Sequence, residues 1–186
     1  MLQSPFSKLS RSLERNLRIG LFILLLVTIS AMVFFDSFLK NEVAENGIVS
    51  FELAKDLETS KTILYSWNEQ GKIAASLSMG LDFLFLIIYA SFIALLIHKL
   101  NERLWKNKSF YNIGSMLVWA AFIMALADTI ENIALIRLLL NDFQQYWSSI
   151  AFYFAILKFT ILIISMLYIL VNGIYLFIKK ISSEQN

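Results

Sequence analysis

Asp128, Glu131 and Asn132 stand at i, i+3 and i+4 within the apolar run Met124-Ala-Leu-Ala-Asp128-Thr-Ile-Glu131-Asn132. On a helix this spacing puts two carboxyls and a carboxamide on one face. Such a group suits acid–base catalysis, the holding of a polar headgroup, or proton transfer. Ala121 and Ala125 continue the face as small residues on one side, and Ala134 on the other. Asp82, Tyr89 and Lys158 add two ionisable groups and a phenol inside other apolar stretches.

The elements that must position these groups are long and greasy. The chain has 186 residues, 58% of them hydrophobic and 16% charged, where soluble domains run at about 45–50% and 25%. Apolar runs longer than about 18 residues recur, the signature of membrane-spanning helices. The reading is one all-α membrane domain over 1–186, a four-helix bundle with spans at 19–35, 74–97, 113–140 and 148–177. Zero cysteines exclude thiol catalysis, thiolate metal sites and disulfides. The lone His98, at the edge of the second span, reads as an interfacial residue. No metal or other cofactor is therefore expected. No basic patch interleaved with aromatics supports nucleic-acid binding.

Residues 1–18 carry Lys8, Arg11, Arg15 and Arg18 against Glu14, with Phe6, Leu9, Leu13 and Leu17 at near-helical spacing. They read either as a topogenic charge cluster or as a short amphipathic helix on an anionic membrane surface. The 19–35 run exceeds the length of a signal-peptide core and reads as an uncleaved helix. Residues 36–72 are the one sizeable polar segment, with seven acids against four lysines, net −3. Asn46-Gly47 marks a turn there. Phe51, Ala54, Leu57, Leu64 and Trp67 then recur at helical intervals, and Gly71 suggests a stop. One or two amphipathic helices at the membrane interface are expected, with Trp67 at headgroup level. Glu52, beside Phe51, reads as a solvated surface residue rather than a member of the membrane site.

Linker charges alternate: +3 over 1–18, −3 in the long loop, +3 over 99–108, −1 at the third connection and +1 at the tail. The positive-inside rule then makes both termini cytoplasmic and the 36–72 loop external, the arrangement of a multi-pass protein of a bacterial inner membrane. At about 1.5 Å per residue, Asp82, Glu131, Asn132 and Lys158 lie ~10–15 Å below the outer surface and Asp128 ~20 Å below it. Exposed to lipid, the four charges would together cost roughly 10 kcal/mol, as much as a whole domain's stability. They must face protein, with Lys158 as counter-ion to Asp128 or Glu131. Ser165 and Asn172 follow Lys158 at helical spacing, and Tyr89 lies two turns from Asp82.

The stretches Gly47-Ile-Val-Ser-Phe-Glu-Leu-Ala54, Ile63-Leu-Tyr-Ser-Trp67 with Gly71, Leu81-Asp-Phe-Leu-Phe-Leu86 and Asp128-Thr-Ile-Glu-Asn-Ile-Ala-Leu135 resemble a group of small four-span bacterial inner-membrane proteins. The resemblance covers most of the chain and implies this topology; it carries no activity over. Lipoprotein signal peptidase has a similar layout, but its Asn- and Gly-rich motifs and its Asp-Arg pair are missing here.

Three functions are compatible with these residues. The first is a buried acidic site in the outer half of the bilayer that binds or processes a lipid-like or small amphipathic ligand beneath a 36–72 lid. In it Asp82 with Asp128 or Glu131 would be the catalytic acid–base pair, and Asn132, Lys158 and Tyr89 would hold the ligand. The second is proton- or cation-coupled transport by a homo-oligomer, against which stands the scarcity of polar groups in the inner half. The third is a structural or accessory subunit whose acids only fix the packing. Membrane lipid is a partner in all three.

Overall fold

The computed structural model describes residues 3–184, with side chains described as far as residue 182. Six helices follow one another: α1 (Arg11–Asp36), α2 (Ile48–Glu52), α3 (Leu57–Ser66), α4 (Glu69–Leu104), α5 (Tyr111–Leu139) and α6 (Gln145–Glu184). No strand occurs among the described residues. α1, α4, α5 and α6 are each long and apolar enough to cross a membrane, and together they form a four-helix bundle. α5 packs between α4 and α6, while α1 lies against α4 and leaves most of its surface outward. At 1.5 Å per residue α4 and α6 run roughly 54 and 60 Å, well beyond a hydrocarbon core of ~30 Å.

The bundle has two distinct ends. Residues 37–68, with α2 and α3, cover the end where α1 and α5 finish and α4 and α6 begin. We call this the cap end and the opposite one the terminal end. The cap has its own apolar centre of Leu39, Phe51, Ile63, Leu64 and Trp67, continuous with Ala75, Met79 and Leu135 of the bundle. A second core, around Ala90, Ala94, Ile97, Val118, Ala121 and Met124, fills α4 and α5 toward the terminal end.

Local chemistry explains the element boundaries and corrects several expectations. The basic 1–18 segment is not a separate surface helix. Ser10 caps α1 by accepting from the Leu13 N–H at 3.3 Å, and the helix then runs unbroken from Arg11 into the apolar stretch. Asn46-Gly47 is a turn, as expected: Gly47 has φ +58°, and a side chain there would run into the Asp36 carboxylate. That carboxylate accepts the Ile48 N–H at 2.8 Å and so starts α2. Gly71 is not a stop. It lies in the first turn of α4, where its N–H is accepted by the Asn68 cap at 2.8 Å. A Cβ there would stand 3.2 Å from the Phe38 carbonyl oxygen, which is why a glycine fits. Trp67 is not an exposed residue of an amphipathic surface helix. It is buried inside the cap, donates from its indole to the Leu39 carbonyl at 2.9 Å and packs edge-on to Phe51. His98 is likewise buried, its ring 5.9 Å from that of Phe6.

Candidate functional site

The helical spacing of Asp128, Glu131 and Asn132 does place them on one buried face of α5, at 2%, 0% and 3% exposure. They lie between the two apolar cores, so the polar layer crosses the bundle as a band with hydrophobic packing on both sides. Asp82 and Tyr89 reach this layer from α4, two turns apart on one face, and Lys158 from α6.

Lys158 is the centre of the layer. An ammonium has three N–H donors, and here each meets a different carboxylate. Nζ lies 3.0 Å from Asp128 Oδ1, 2.9 Å from Glu131 Oε1 and 3.4 Å from Glu52 Oε2. Its distance to the second oxygen of Glu131 is also 2.9 Å, so that carboxylate faces the ammonium with both oxygens. Asp128 uses its other oxygen to accept the Tyr89 hydroxyl at 2.6 Å. Asp82 stands apart from the ammonium and accepts from the Asn132 carboxamide. The six residues singled out in the sequence thus share one buried layer spanning α4, α5 and α6, as two hydrogen-bonded groups: Tyr89, Asp128, Glu131 and Lys158 in one, Asp82 and Asn132 in the other.

The seventh member corrects the sequence reading. Glu52 is not solvated; it is buried, and it brings the short helix α2 onto the buried polar layer through its ion pair with Lys158. The burial that removes water from this carboxyl raises its pKa above the ordinary 4.5, against the pull of the Lys158 charge. One signal for it existed. Among the seven acids of residues 36–72, Glu52 is the one flanked by large apolar residues on both sides, Phe51 and Leu53. Its partner is 106 residues away, beyond any local pattern.

Arg137 faces outward, with its guanidinium 5.8 Å from the Trp147 ring centre. Ser165 is buried, and its hydroxyl has no hydrogen-bond partner among the described residues. Asn172 belongs elsewhere, accepting the Trp105 indole N–H at 2.7 Å in a second polar layer near the terminal end.

Chemically, the carboxyls differ in freedom. Glu131 and Asp128 are committed to the ammonium, so their oxygens already have partners. Asp82, bonded to a neutral amide, is the carboxyl best placed to take and return a proton. Asn132, Tyr89 and Lys158 are the donors that could hold a polar ligand once α2 withdraws Glu52. No protein-family model matches the chain, and no curated protein or solved structure matches it either.

Proposed function

We propose that the protein sits in a bacterial inner membrane with both termini cytoplasmic and the cap outside. There it binds or processes a lipid-like or small amphipathic molecule at the carboxylate–lysine layer. The observation that carries this reading is the contact between Glu52 and Lys158. A residue of a five-residue helix outside the spans supplies one of three carboxylates on a buried ammonium. Glu52 therefore acts as an internal stand-in. A ligand with an anionic or strongly accepting head replaces it on Lys158 as α2 lifts. Grooves for an apolar tail exist at this end, one of about 250 Å³ between α1 and α4 around Phe34, Phe38, Ile73 and Leu77. If the reaction is chemical, Asp82 is the acid–base residue, while Asp128 and Glu131 hold Lys158 in place. The charge alternation of the linkers supports the orientation. The resemblance to small four-span bacterial proteins supports the compartment.

A second reading, proton-coupled transport, is favoured by one feature: the layer holds four carboxyls and a single ammonium, which three of them contact, so the layer must hold protons to remain in a low-dielectric setting. It is opposed by the apolar core of Ile93, Ala94, Val118 and Ala121, which interrupts any polar path toward the terminal end.

The test uses protein extracted with its native lipids and examined by native mass spectrometry. Wild type is expected to retain a bound amphipathic molecule, and Asp82→Ala, Asp128→Ala and Glu131→Ala to lose it. If all three variants fold and keep the same molecule, the layer is not its site.

A further inference from the structure

A cavity of about 980 Å³ opens at the terminal end, far from the carboxylate–lysine layer. Its walls combine the first turns of α1 with the last turns of α4, and they carry Arg11, Arg15, Arg18, Lys99, Arg103 and Lys106. The acids facing it are Glu14 and Glu102, and the buried His98 and Phe6 also line it. Glu102 is already occupied, accepting the Tyr111 hydroxyl at 2.5 Å and pairing with Lys106 at 3.2 Å. Glu14 is shared loosely between Arg18 and Lys99, at 3.8 and 3.9 Å. Arg11, Arg15 and Arg103 make no ion pair among the described residues. The Nε of Arg18 is buried there and faces Glu14 Oε1 at 3.8 Å, too far for a hydrogen bond.

A topogenic cluster needs only a local excess of positive charge in one flanking segment. Here cations some 90 residues apart in the chain, Arg11 to Arg18 and Lys99 to Lys106, converge on one concavity. A second groove, of about 260 Å³, adjoins it and shares Arg15 and Arg18 with it. The rest of that groove is Ile19, Phe22, Phe92 and Leu96, an apolar channel between α1 and α4 on the face of α1 that no other helix covers. Basic cavity and apolar groove meet at two arginines, the layout of a phosphate head joined to a hydrocarbon tail. Guanidinium groups bind phosphate oxygens through paired, charge-assisted hydrogen bonds.

We propose that this cavity binds the phosphate headgroup of an acidic membrane lipid, with one acyl chain along the Phe22–Phe92 groove. The site is separate from the carboxylate–lysine layer and does not depend on its function.

The test takes the full chain in neutral detergent and measures binding by native mass spectrometry with three probes at one ionic strength: dihexanoyl phosphatidic acid, dihexanoyl phosphatidylcholine and inorganic phosphate. Phosphatidic acid should bind at least about tenfold more tightly than either other probe. Arg15→Gln and Arg103→Gln should each weaken it about tenfold, the loss of one charge-assisted contact. Because neither arginine is ion-paired, both variants should unfold at the wild-type temperature. Phe22→Ala should weaken phosphatidic acid and leave inorganic phosphate unchanged. Inorganic phosphate binding as tightly as the lipid would make this a free-phosphate site and overturn the proposal. Equal binding of phosphatidylcholine, or undiminished phosphatidic acid binding by both arginine variants, would overturn it as well.

Discussion

Two polar layers cross this bundle, and they are built on opposite principles. Near the terminal end, the Asn101 amide donates to the Tyr111 carbonyl at 2.9 Å and to the Ser115 hydroxyl at 3.4 Å, while its oxygen accepts from Tyr168 at 3.2 Å. Trp105 and Asn172 close the same region. Every group in it is neutral, and its donors and acceptors match. Near the cap, three carboxyls surround one ammonium, and a fourth, Asp82, accepts from the Asn132 amide. Neutral hydrogen bonds of the first kind are ordinary glue between helices in a membrane. The second layer is a poor choice for that purpose. Replacing a buried ion network with apolar side chains of similar size is often neutral or stabilising, so packing alone gives no reason to keep it. The same protein shows how it fastens helices when fastening is all that is needed, and the cap-end layer is not made that way.

The largest effect should come from removing the one cation. Lys158→Met leaves Glu52, Asp128 and Glu131 facing each other without a counter-charge, and breaking a buried pair in this way costs about 3–5 kcal/mol. The variant should unfold at a much lower temperature in detergent at neutral pH. Acid should recover part of the loss, because protonated carboxyls no longer need the ammonium. A variant as stable as wild type at neutral pH would mean that the layer is not charged, and the contrast between the layers would collapse.

Asn101→Ala should cost less, about 1–3 kcal/mol, the penalty of leaving the Tyr168 hydroxyl and the Tyr111 carbonyl with fewer partners. Between pH 5 and 9 this loss should be nearly constant, since it changes no charge. Thermal unfolding at several pH values, run beside Lys158→Met, compares the layers directly. A loss that changes with pH as much as that of Lys158→Met would show the terminal-end layer to be electrostatic too.

What the sequence exposed and what it hid divides along the same line. The four long helices were legible because lipid and core demand apolar runs of a length that no other element shares. The Asp128, Glu131 and Asn132 face was legible because its members lie within one turn. So was a pairing of Lys158 with Asp128 or Glu131, since each charge is too expensive to leave in lipid; that it meets both was not. Glu52 was not, because the decision to bury it is made by a fold in which α2 reaches α6, and no local period records that. Trp67 looked interfacial for the same reason: its partners, Leu39 and Phe51, lie across a turn and a helix in the cap. The separate basic helix, one of two readings of 1–18, failed differently. Ser10 caps a helix whose basic and apolar halves are both good helix formers, so nothing interrupts them. Asn101 attracted no notice because a single amide near a charged linker is common.

Asp82→Asn is expected to change stability by no more than about 1 kcal/mol, because the side chain it replaces is bonded to a neutral amide and an asparagine can still accept from Asn132. Loss of the retained amphipathic molecule, with unfolding temperature unchanged, would separate a working carboxyl from a packing one. A structural layer predicts the reverse, an altered unfolding temperature with the bound molecule kept.

The smallest effect, and the one that most directly concerns the cap, belongs to Glu52→Gln. At neutral pH the amide oxygen can still accept from Lys158, so overall stability should be nearly unchanged. The pH dependence of the cap should not be. Burial raises the pKa of Glu52 in the closed cap above its value when the cap is lifted into water. The closed state therefore binds more protons than the open one, and closure is strengthened as pH falls and lost as pH rises through the raised pKa. Hydrogen exchange of the α2 amides, corrected for the intrinsic rate, should accelerate with rising pH in wild type. Glutamine carries the uncharged state permanently, so in Glu52→Gln the corrected rate should stay slow and flat. If the two proteins show the same pH profile, Glu52 is not the latch between cap and bundle, and the distinction between a layer that opens and one that only fastens would rest on Asp82 alone.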